Sequence, residues 1–453
     1  MSEQMKPSGI DWIKDIPISW DINKVKYLAT NSNTLFLDGD WIESDIIEDS
    51  GIRYLTTGNV GAGYYKEQGN GYISQKTFDE LHCLKVVPGD LMISRLNEPI
   101  GRACIVPDGE KFYVVAVDNV ILRPNKEYNK KFIMYAMNTD GYAEHGNIIA
   151  RGATMSRVSR SQLGQFWISY PDISEQNAIV DYLDSQCSKL DGIISDLEKQ
   201  IETLQKYKKS LILETVTKGL NKNAPMKSSG IDWIGDIPAH WDIKRLKYLL
   251  EQSDENMKVG PFGSALSGGD IVNEGKWVYN QRVVLDDNFN ETDSFITEEK
   301  FQEMKGFVVK GGDLLITTRG TIGKVAIVPD NPQEGILHPC IIKFRVNKEL
   351  ILPELVKLIF NESDIVKDQF VLMSNATTIE VIYSYSLKEI ILPVIPMEEQ
   401  KAVFEFLSKQ CSTIDSILKD KQEQLEKIKQ HKKSLIYEYV TGKQRVKEAT
   451  NGN

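Results

Sequence analysis

Residues 8–28 read SGIDWIKDIPISWDINKVKYL, and residues 229–249 read SGIDWIGDIPAHWDIKRLKYL, with fifteen of the twenty-one positions identical. The repetition continues in EQNAIVDYLDSQCSKLD at 175–191, which returns as EQKAVFEFLSKQCSTID at 399–415. The 453 residues are therefore two copies of one segment of about 220 residues. Because solenoid repeats run only ~20–50 residues, this period indicates a duplicated domain pair. Two similar halves suit two similar targets, such as the two halves of one ligand.

Each half ends in a segment with the apolar spacing of a long helix, from about 175 to 215 in the first half. The apolar residues alternate four and three apart, which is the seam of helices that pair in a coiled coil. Lys208 and Lys432 interrupt the seam at matching places, where a lysine can reach solvent. Because these lysines would meet in a parallel pair, we predict antiparallel pairing. The predicted pairing residues are Leu183, Leu190, Ile194, Leu197, Ile201, Leu204, Leu211, Leu407, Ile414, Leu418, Leu425, Ile428 and Leu435.

Tryptophans mark the start of each half. Trp12 and Trp20 match Trp233 and Trp241, and each pair flanks an Ile-Pro dipeptide. We expect an aromatic clasp that fixes the globular part to a helix end. The alternative is a surface that docks a partner.

The remaining stretch of each half is rich in Gly, β-branched and aromatic residues. Short strand-like runs such as Lys85–Val87 and Leu91–Ser94 are separated by turns such as 88–90, Pro-Gly-Asp. We therefore predict an α+β fold with two similar globular domains, each with a twisted sheet, and an internal pseudo-twofold repeat. The predicted boundaries are 1–170 for the first globular domain with its Trp-rich segment, 171–221 for the first long helix, 222–394 for the second globular domain with its Trp-rich segment, 395–445 for the second long helix and 446–453 for a disordered tail.

The composition and the motifs limit which class of protein this chain can be and which kinds of site it can hold. No apolar run reaches the ~18 residues that span a bilayer, the N-terminus has no secretion signal, and the five cysteines form no CxxC pair. We therefore expect a cytoplasmic protein. The five histidines show no metal-ligand spacing, and the chain has no GxSxG, HExxH, Walker or helix-opening GxGxxG motif. The sequence thus predicts no catalytic residue and no metal.

The formal net charge of −10 argues against nucleic-acid binding if it is taken alone. Binding depends on local clusters, however, and residues 145–171 hold three arginines and no acidic residue between the terminal His and Pro. Arg95 and Arg319 each follow a matched strand-like run without an acidic neighbour within two residues, so we expect both at the same place, facing phosphate or guanine. The ordinary alternatives are solvated arginines and plain turns. The candidate contacts are Thr57, Asn59, Arg95, Asn97, Arg151, Thr154, Arg157, Ser264, Arg282, Thr318, Arg319, Lys324, Asn375 and Thr377.

The order of segments resembles a known family over almost the whole chain. A globular domain and a long helix alternate twice, the helices start with EQ-x-A-(I/V) shortly after a proline, and they end with KKSLI-x-E-x-VT. This arrangement is similar to the specificity (S) subunit of type I restriction-modification systems, which serve host defence.

The resemblance implies a fold and a set of partners. Each globular part would be a target recognition domain that reads one half of a split double-stranded DNA sequence. The paired helices would act as a spacer and dock two methyltransferase (M) subunits, and motor-nuclease (R) subunits would complete the complex. The chain itself would be no enzyme, and S-adenosylmethionine, ATP and Mg would bind the partner subunits, which supply adenine methylation and DNA cleavage.

Three alternatives stay open at this point. The chain could be the S subunit of a Type IIB-like system, which differs in the partner rather than in this sequence. It could be a DNA-modifying enzyme whose motifs are unfamiliar. It could also be a coiled-coil scaffold that binds only protein.

Overall fold

The computed structural model describes residues 4–31, 34–96, 99–150, 156–232, 234–262, 265–374 and 381–446. Trp233 and residues 447–453 of the predicted tail lie outside the described residues. The chain divides into two compact units. The first unit consists of Met1–Glu198 with Glu423–Asn453, and the second unit is Lys199–Gln422.

The first unit contains a four-stranded antiparallel sheet and a three-stranded sheet. In the order in which the strands pair, the four-stranded sheet has Leu35–Asp38, Asn119–Arg123, Leu91–Ser94 and Ala103–Ile105, and the three-stranded sheet has Tyr72–Ile73, Ile52–Leu55 and Val114–Val115. Two-stranded ribbons pair Asp21–Lys24 with Trp167–Tyr170 and Met5–Pro7 with Asp15–Pro17. The shorter helices are Gln75–Glu80, Lys130–Met137, Asp140–Ile149 and Arg160–Leu163, and 3-10 turns lie at Val25–Leu28, Ser44–Ile46 and Thr57–Asn59.

The second unit repeats this topology. Its four-stranded sheet has Met257–Val259, Ile341–Phe344, Leu314–Thr317 and Val325–Ile327, and its three-stranded sheet has Phe295–Ile296, Lys276–Tyr279 and Gly335–Leu337. The ribbons pair Asp242–Arg245 with Ile391–Val394 and Met226–Ser228 with Asp236–Pro238. The shorter helices are Gln281–Leu285, Glu298–Glu303, Pro353–Glu362, Ile365–Ser374 and Ser384–Glu389, and 3-10 turns lie at Leu246–Tyr248, Gly268–Asp270 and Lys305–Phe307. The predicted α+β fold with an internal repeat is confirmed.

The four-stranded sheet of the first unit is buried on both faces. All four residues of Leu91–Ser94 are buried, because one face packs on the core that contains Leu91 and Ile93 and the other on the core that contains Met92. This explains why the strand reads as a continuous apolar run rather than an alternating one. The prediction of a strand at Leu91–Ser94 is confirmed, whereas Lys85–Val87 contributes only an isolated bridge at Val86.

Two long helices, Ile173–Lys218 and Met397–Val440, each contribute residues to both units. Every predicted seam residue is buried or half-buried. In the first unit, Lys432 Nζ lies 2.6 Å from Asp191 and Lys429 Nζ lies 3.0 Å from Glu198. One helix advances from 191 to 198 while its partner goes back from 432 to 429, so the predicted antiparallel pairing is confirmed.

The lysines that interrupt the seam do not simply reach solvent, as the sequence suggested. Lys208 Nζ lies 2.8 Å from Asp415 and 2.6 Å from Glu362 in the second unit. The pair Lys432–Asp191 is its counterpart in the first unit, since both residues are shifted by the same 224 positions. The repeated lysine is therefore an ion-pairing residue of the seam.

A buried glutamine joins the start of each long helix to its globular part. Gln176 is fully buried. Its Nε2 donates to the carbonyl oxygens of Pro171 at 2.9 Å and Glu127 at 3.0 Å, and its Oε1 accepts from the amide of Asn129 at 2.8 Å. Gln400 makes the same three bonds in the second unit, with Ile395, Leu350 and Leu352. These bonds explain why a glutamine recurs at both helix starts.

The predicted aromatic clasp is confirmed in both units. Gly219 and Gly442 follow the two long helices with φ of 72° and 71°, the left-handed cap that favours glycine. A Cβ on Gly219 would lie 2.9 Å from the buried ring of Trp241, and one on Gly442 would lie 3.3 Å from the buried ring of Trp20. Each tryptophan therefore covers the end of a long helix. Trp241 leaves no room for a Cβ at Gly219, and Pro17 together with Trp20 leaves none at Gly442.

The N-terminal strand and the C-terminal helix end of the first unit meet the same segment. Met5–Pro7 pairs with Asp15–Pro17, and Lys443 Nζ donates to the carbonyl oxygen of Asp15. In the second unit, the six residues 220–225 connect the corresponding helix end at Gly219 to the corresponding strand. The strand Met5–Pro7 and the helix end of the first unit therefore hold the same places as the two elements that residues 220–225 connect in the second unit.

A circular permutant should therefore fold. We expect a chain opened at the exposed Asn223, with its original ends joined by a linker of similar length, to keep its free energy of unfolding within about 1 kcal/mol. Urea unfolding of the permutant and the parent measures this. A permutant that does not fold, while a variant with a four-residue insertion at Asn223 does, would show that the ends are not joined in this way.

Candidate nucleic-acid interface

Asn59 belongs to the 3-10 turn Thr57–Asn59 and is only 1% exposed. Its Oδ1 accepts from the amide of Thr56 at 2.8 Å, and its Nδ2 donates to the carbonyl oxygens of Lys66 at 3.0 Å and Gln68 at 2.9 Å. Both sides of the amide are thus engaged within the fold. The prediction that Asn59 contacts a ligand is wrong, and its role is to hold the loop.

Arg102 organises the same loop and was missed in the sequence. It is 8% exposed, and its guanidinium donates to the carbonyl oxygens of Val60 at 2.8 Å, Thr57 at 2.9 Å, Leu96 at 2.8 Å and Pro99 at 3.1 Å. Burial lowers the pKa of this guanidinium from its usual value. The half-buried Thr57 remains a candidate, now on a loop that Arg102 fixes in place.

Two candidates of the second unit are also internal. Lys324 is half-buried, and its Nζ donates to the carbonyl oxygen of Asn361 at 2.9 Å, near the C-terminus of the helix Pro353–Glu362, where a positive charge is favourable. Thr318 is 4% exposed, and its Oγ1 donates to the carbonyl oxygen of Cys340 at 2.9 Å. Both side chains stabilise the fold, and the contacts of Lys324 and Thr318 with a ligand stay predictions.

Arg95 is paired within the first unit. Its side chain is 12% exposed, with Nε 3.2 Å from Asp38 and Nη2 3.3 Å from Asp118, and Nη2 also donates to the carbonyl oxygen of Val117 at 2.6 Å. Neither aspartate is a neighbour of Arg95 along the chain, since Asp38 ends another strand and Asp118 lies in a turn. The prediction that Arg95 faces a ligand is therefore wrong.

Arg95 and Arg319 do not hold the same place. The amide of Arg95 donates to the carbonyl oxygen of Asp118 at 2.9 Å, and the amide of Thr318 donates to that of Cys340 at 3.0 Å in the matching turn. Arg95 therefore corresponds to Thr318, and Arg319 comes one residue later. Since neighbouring side chains in extended chain point to opposite faces, this shift turns Arg95 inward and Arg319 outward.

Of the candidate arginines that the structure describes, three are exposed: Arg157, Arg282 and Arg319. Arg282 lies 3.5 Å from Asp286 and 3.7 Å from Asp293, which offset its charge. Arg157 and Arg319 form no ion pair with any residue that the structure describes. Of the predicted contacts, these two arginines are the best placed to meet an anion.

Six candidates lie outside the described residues: Asn97, Arg151, Thr154, Ser264, Asn375 and Thr377.

Within the described ranges, no three His, Cys, Asp or Glu side chains come together in a way that could hold a metal ion. The same part of the chain contains no helix that is long and apolar enough to cross a membrane.

Comparisons with known proteins agree with this geometry. The family model described as the type I restriction modification DNA specificity domain matches residues 34–203 and again residues 255–427. The putative type I restriction enzyme MjaX specificity subunit of Methanocaldococcus jannaschii is 26% identical over 391 residues, which is 83% of each chain. The MjaVIII specificity subunit of the same organism is 28% identical over 302 residues, or 66% of each chain. The EcoBI specificity subunit of Escherichia coli is 22% identical over 324 residues, or 70% of this chain and 66% of that one.

Solved structures have the same fold. A chain from a study of complex assembly and conformational transition in the type I restriction-modification system superposes with a TM-score of 0.68 at 14% identity, over 95% of this chain and 99% of that one. The HsdS subunit from Thermoanaerobacter tengcongensis gives 0.50 at 13% identity, over 95% and 98%. Because the family model covers well over half of the sequence, in two copies that coincide with the two repeats, the chain belongs to the family of type I restriction-modification DNA specificity subunits.

Proposed function

We propose that this chain is the DNA sequence-recognition subunit of a type I restriction-modification complex and that each globular domain reads one half of a bipartite site. The observation that supports this most is the match of the specificity-domain model to both repeats, 34–203 and 255–427. A chain with two such domains needs two targets, and a split DNA sequence supplies them.

The pattern of likeness between the repeats supports separate reading. Buried residues that hold the scaffold recur, such as Trp20 and Trp241. Side chains just after the central strands differ, and the half-buried Leu96 in one unit corresponds to the exposed Arg319 in the other. Changed side chains on an unchanged scaffold are what two readers of different bases require.

The long helices offer matching surfaces to partner subunits. Ile193 and Ile417 hold equivalent places in the two helices and stay 45% and 40% exposed. Isoleucines repeated on an exposed face suit two copies of one protein partner. We assign these surfaces to the two methyltransferase subunits, and we assign catalysis, S-adenosylmethionine, ATP and Mg to the methyltransferase and motor-nuclease subunits.

Exchange of one recognition domain tests the proposal. Replacement of residues 29–170 by the same segment of a family member with a known target should change one half of the methylated sequence and leave the other half intact. Methylated adenines are mapped in DNA from cells that also carry the methyltransferase subunit. The matched control replaces residues 250–390 and should change only the other half. A change in both halves, or in neither, would contradict independent reading.

A further inference from the structure

An isolated antiparallel bridge lies at the same place in each unit. Leu96 pairs with Arg157 in the first unit, and Arg319 pairs with Val381 in the second. By the register described above, Leu96 corresponds to Arg319, and Arg157 corresponds to Val381. Directly opposed residues of an antiparallel pair have side chains on the same face. Each unit therefore places one exposed arginine beside one half-buried apolar residue on this face. The arginine follows the central strand in the second unit, whereas in the first unit it lies on the opposite side of the bridge.

Ion pairs among the described residues surround the bridge of the first unit. Arg95 lies 3.2 Å from Asp38 and 3.3 Å from Asp118, and Arg160 lies 3.5 Å from the other oxygen of Asp38. Two arginines thus face two aspartates. Among the residues that the structure describes, Arg157 takes part in none of these ion pairs.

The second unit has lost this whole network. Thr318 corresponds to Arg95 by the hydrogen bonds already given, and Ser384 corresponds to Arg160 because each is the first residue of its short helix. In the same registers, Val259 corresponds to Asp38 and Cys340 to Asp118. All four replacements are neutral. Within the described part of the second unit, Arg319 likewise has no ion-pair partner on this face.

We infer that Arg157 and Arg319 each bind a phosphate of the DNA backbone, at the same place in the two recognition domains. This inference rests on the proposed function. Bases differ between two half-sites, whereas a phosphate is the same in every sequence. Both units have an exposed arginine at this bridge, although it lies on different strands and has different neighbours. A ligand that is the same in both half-sites, such as a phosphate, fits this arrangement. The planar guanidinium suits phosphate oxygens.

Single substitutions give the first test, in the complex assembled with its methyltransferase subunits. Arg157→Ala and Arg319→Ala should each weaken binding to the target duplex and to an unrelated duplex alike, by about three- to tenfold at ~0.15 M salt. Each should also lower the dependence of log K on log salt by about one. Arg157→Lys and Arg319→Lys keep the charge and should keep most of the affinity. The methylated sequence should not change.

Exchange of the two bridge partners gives the sharper test. Leu96→Arg combined with Arg157→Leu copies the arrangement of the second unit, and Arg319→Leu combined with Val381→Arg copies that of the first. Both double variants should recover the affinity and the salt dependence that the alanine variants lose. Arg245→Ala is the matched control, since Arg245 is an exposed arginine outside the candidate contacts and lies 2.8 Å from Glu389. It should leave both quantities unchanged.

Three results would overturn the inference. One is unchanged affinity and salt dependence in both alanine variants. Another is altered methylation at one base position, which would make the arginine a base reader. The third is failure of the double variants to recover affinity although their thermal unfolding matches that of the parent. Separately, a parent complex without sequence-specific binding would overturn the proposed function, and the inference with it.

Discussion

Leu407→Asp is expected to lower the free energy of unfolding by ~4 kcal/mol or more. Leu407 is fully buried in the seam and packs in the main core of the second unit, together with Ile212 and Leu355. The change removes the burial of a leucine, about 1.5–3 kcal/mol, and places a carboxylate where no partner compensates its lost hydration. Urea unfolding followed by circular dichroism measures the loss.

The same helix supplies the control for this variant. Ile417→Asp also replaces an apolar residue by aspartate, but Ile417 is 40% exposed, so we expect a cost below about 1 kcal/mol. Leu183→Asp and Ile193→Asp repeat the comparison in the first long helix, where the residues are 0% and 45% exposed. Equal losses for the buried and the exposed positions would show that the seam does not hold the helices together.

Trp20→Ala is expected to cost ~3–5 kcal/mol, the usual range for a buried tryptophan. The ring is fully buried, lies 6.1 Å from that of Phe132 and covers Gly442 at the end of the second long helix. Hydrogen exchange should therefore lose protection at the last turn of that helix, around Val440.

Trp41→Ala is the matched control for the tryptophan clasp. Trp41 belongs to the same unit but is 72% exposed, so its loss should change stability by less than about 0.5 kcal/mol. A Trp20→Ala variant that is destabilised but keeps full protection at the helix end would assign Trp20 to the core alone. Stability equal to that of Trp41→Ala would exclude the clasp.

Features that repeat along the chain were predictable from the sequence. The heptad seam and the two copies of the globular domain follow from spacing that repeats along the chain, and the clasp follows from tryptophans that recur at a constant offset. The role of Gln176 did not follow, because its partners Glu127 and Asn129 are about 50 residues earlier in the chain. A glutamine repeated in both helix starts was nevertheless a signal that could have been used.

The candidate site was less predictable, for a reason that Arg95 illustrates. Arg95 corresponds to Thr318 and not to Arg319, which is one residue later. In an extended chain, a shift of one residue places a side chain on the opposite face. Its aspartate partners lie 57 positions before it and 23 after it, so no window around Arg95 contains them. Exposure depends on such distant partners, and only the folded chain brings them together.

The division of the chain has a consequence for its synthesis. The second unit is one continuous segment, Lys199–Gln422, whereas the first needs Glu423–Asn453 to complete it. The first unit is therefore the first to be started by the ribosome and the last to complete its fold, because Trp20 packs against Gly442 near the other end of the chain. Nascent chains should thus carry an open apolar face near their N-terminus during most of translation. A stop codon shortly before Glu423 would damage the half encoded at the other end of the gene.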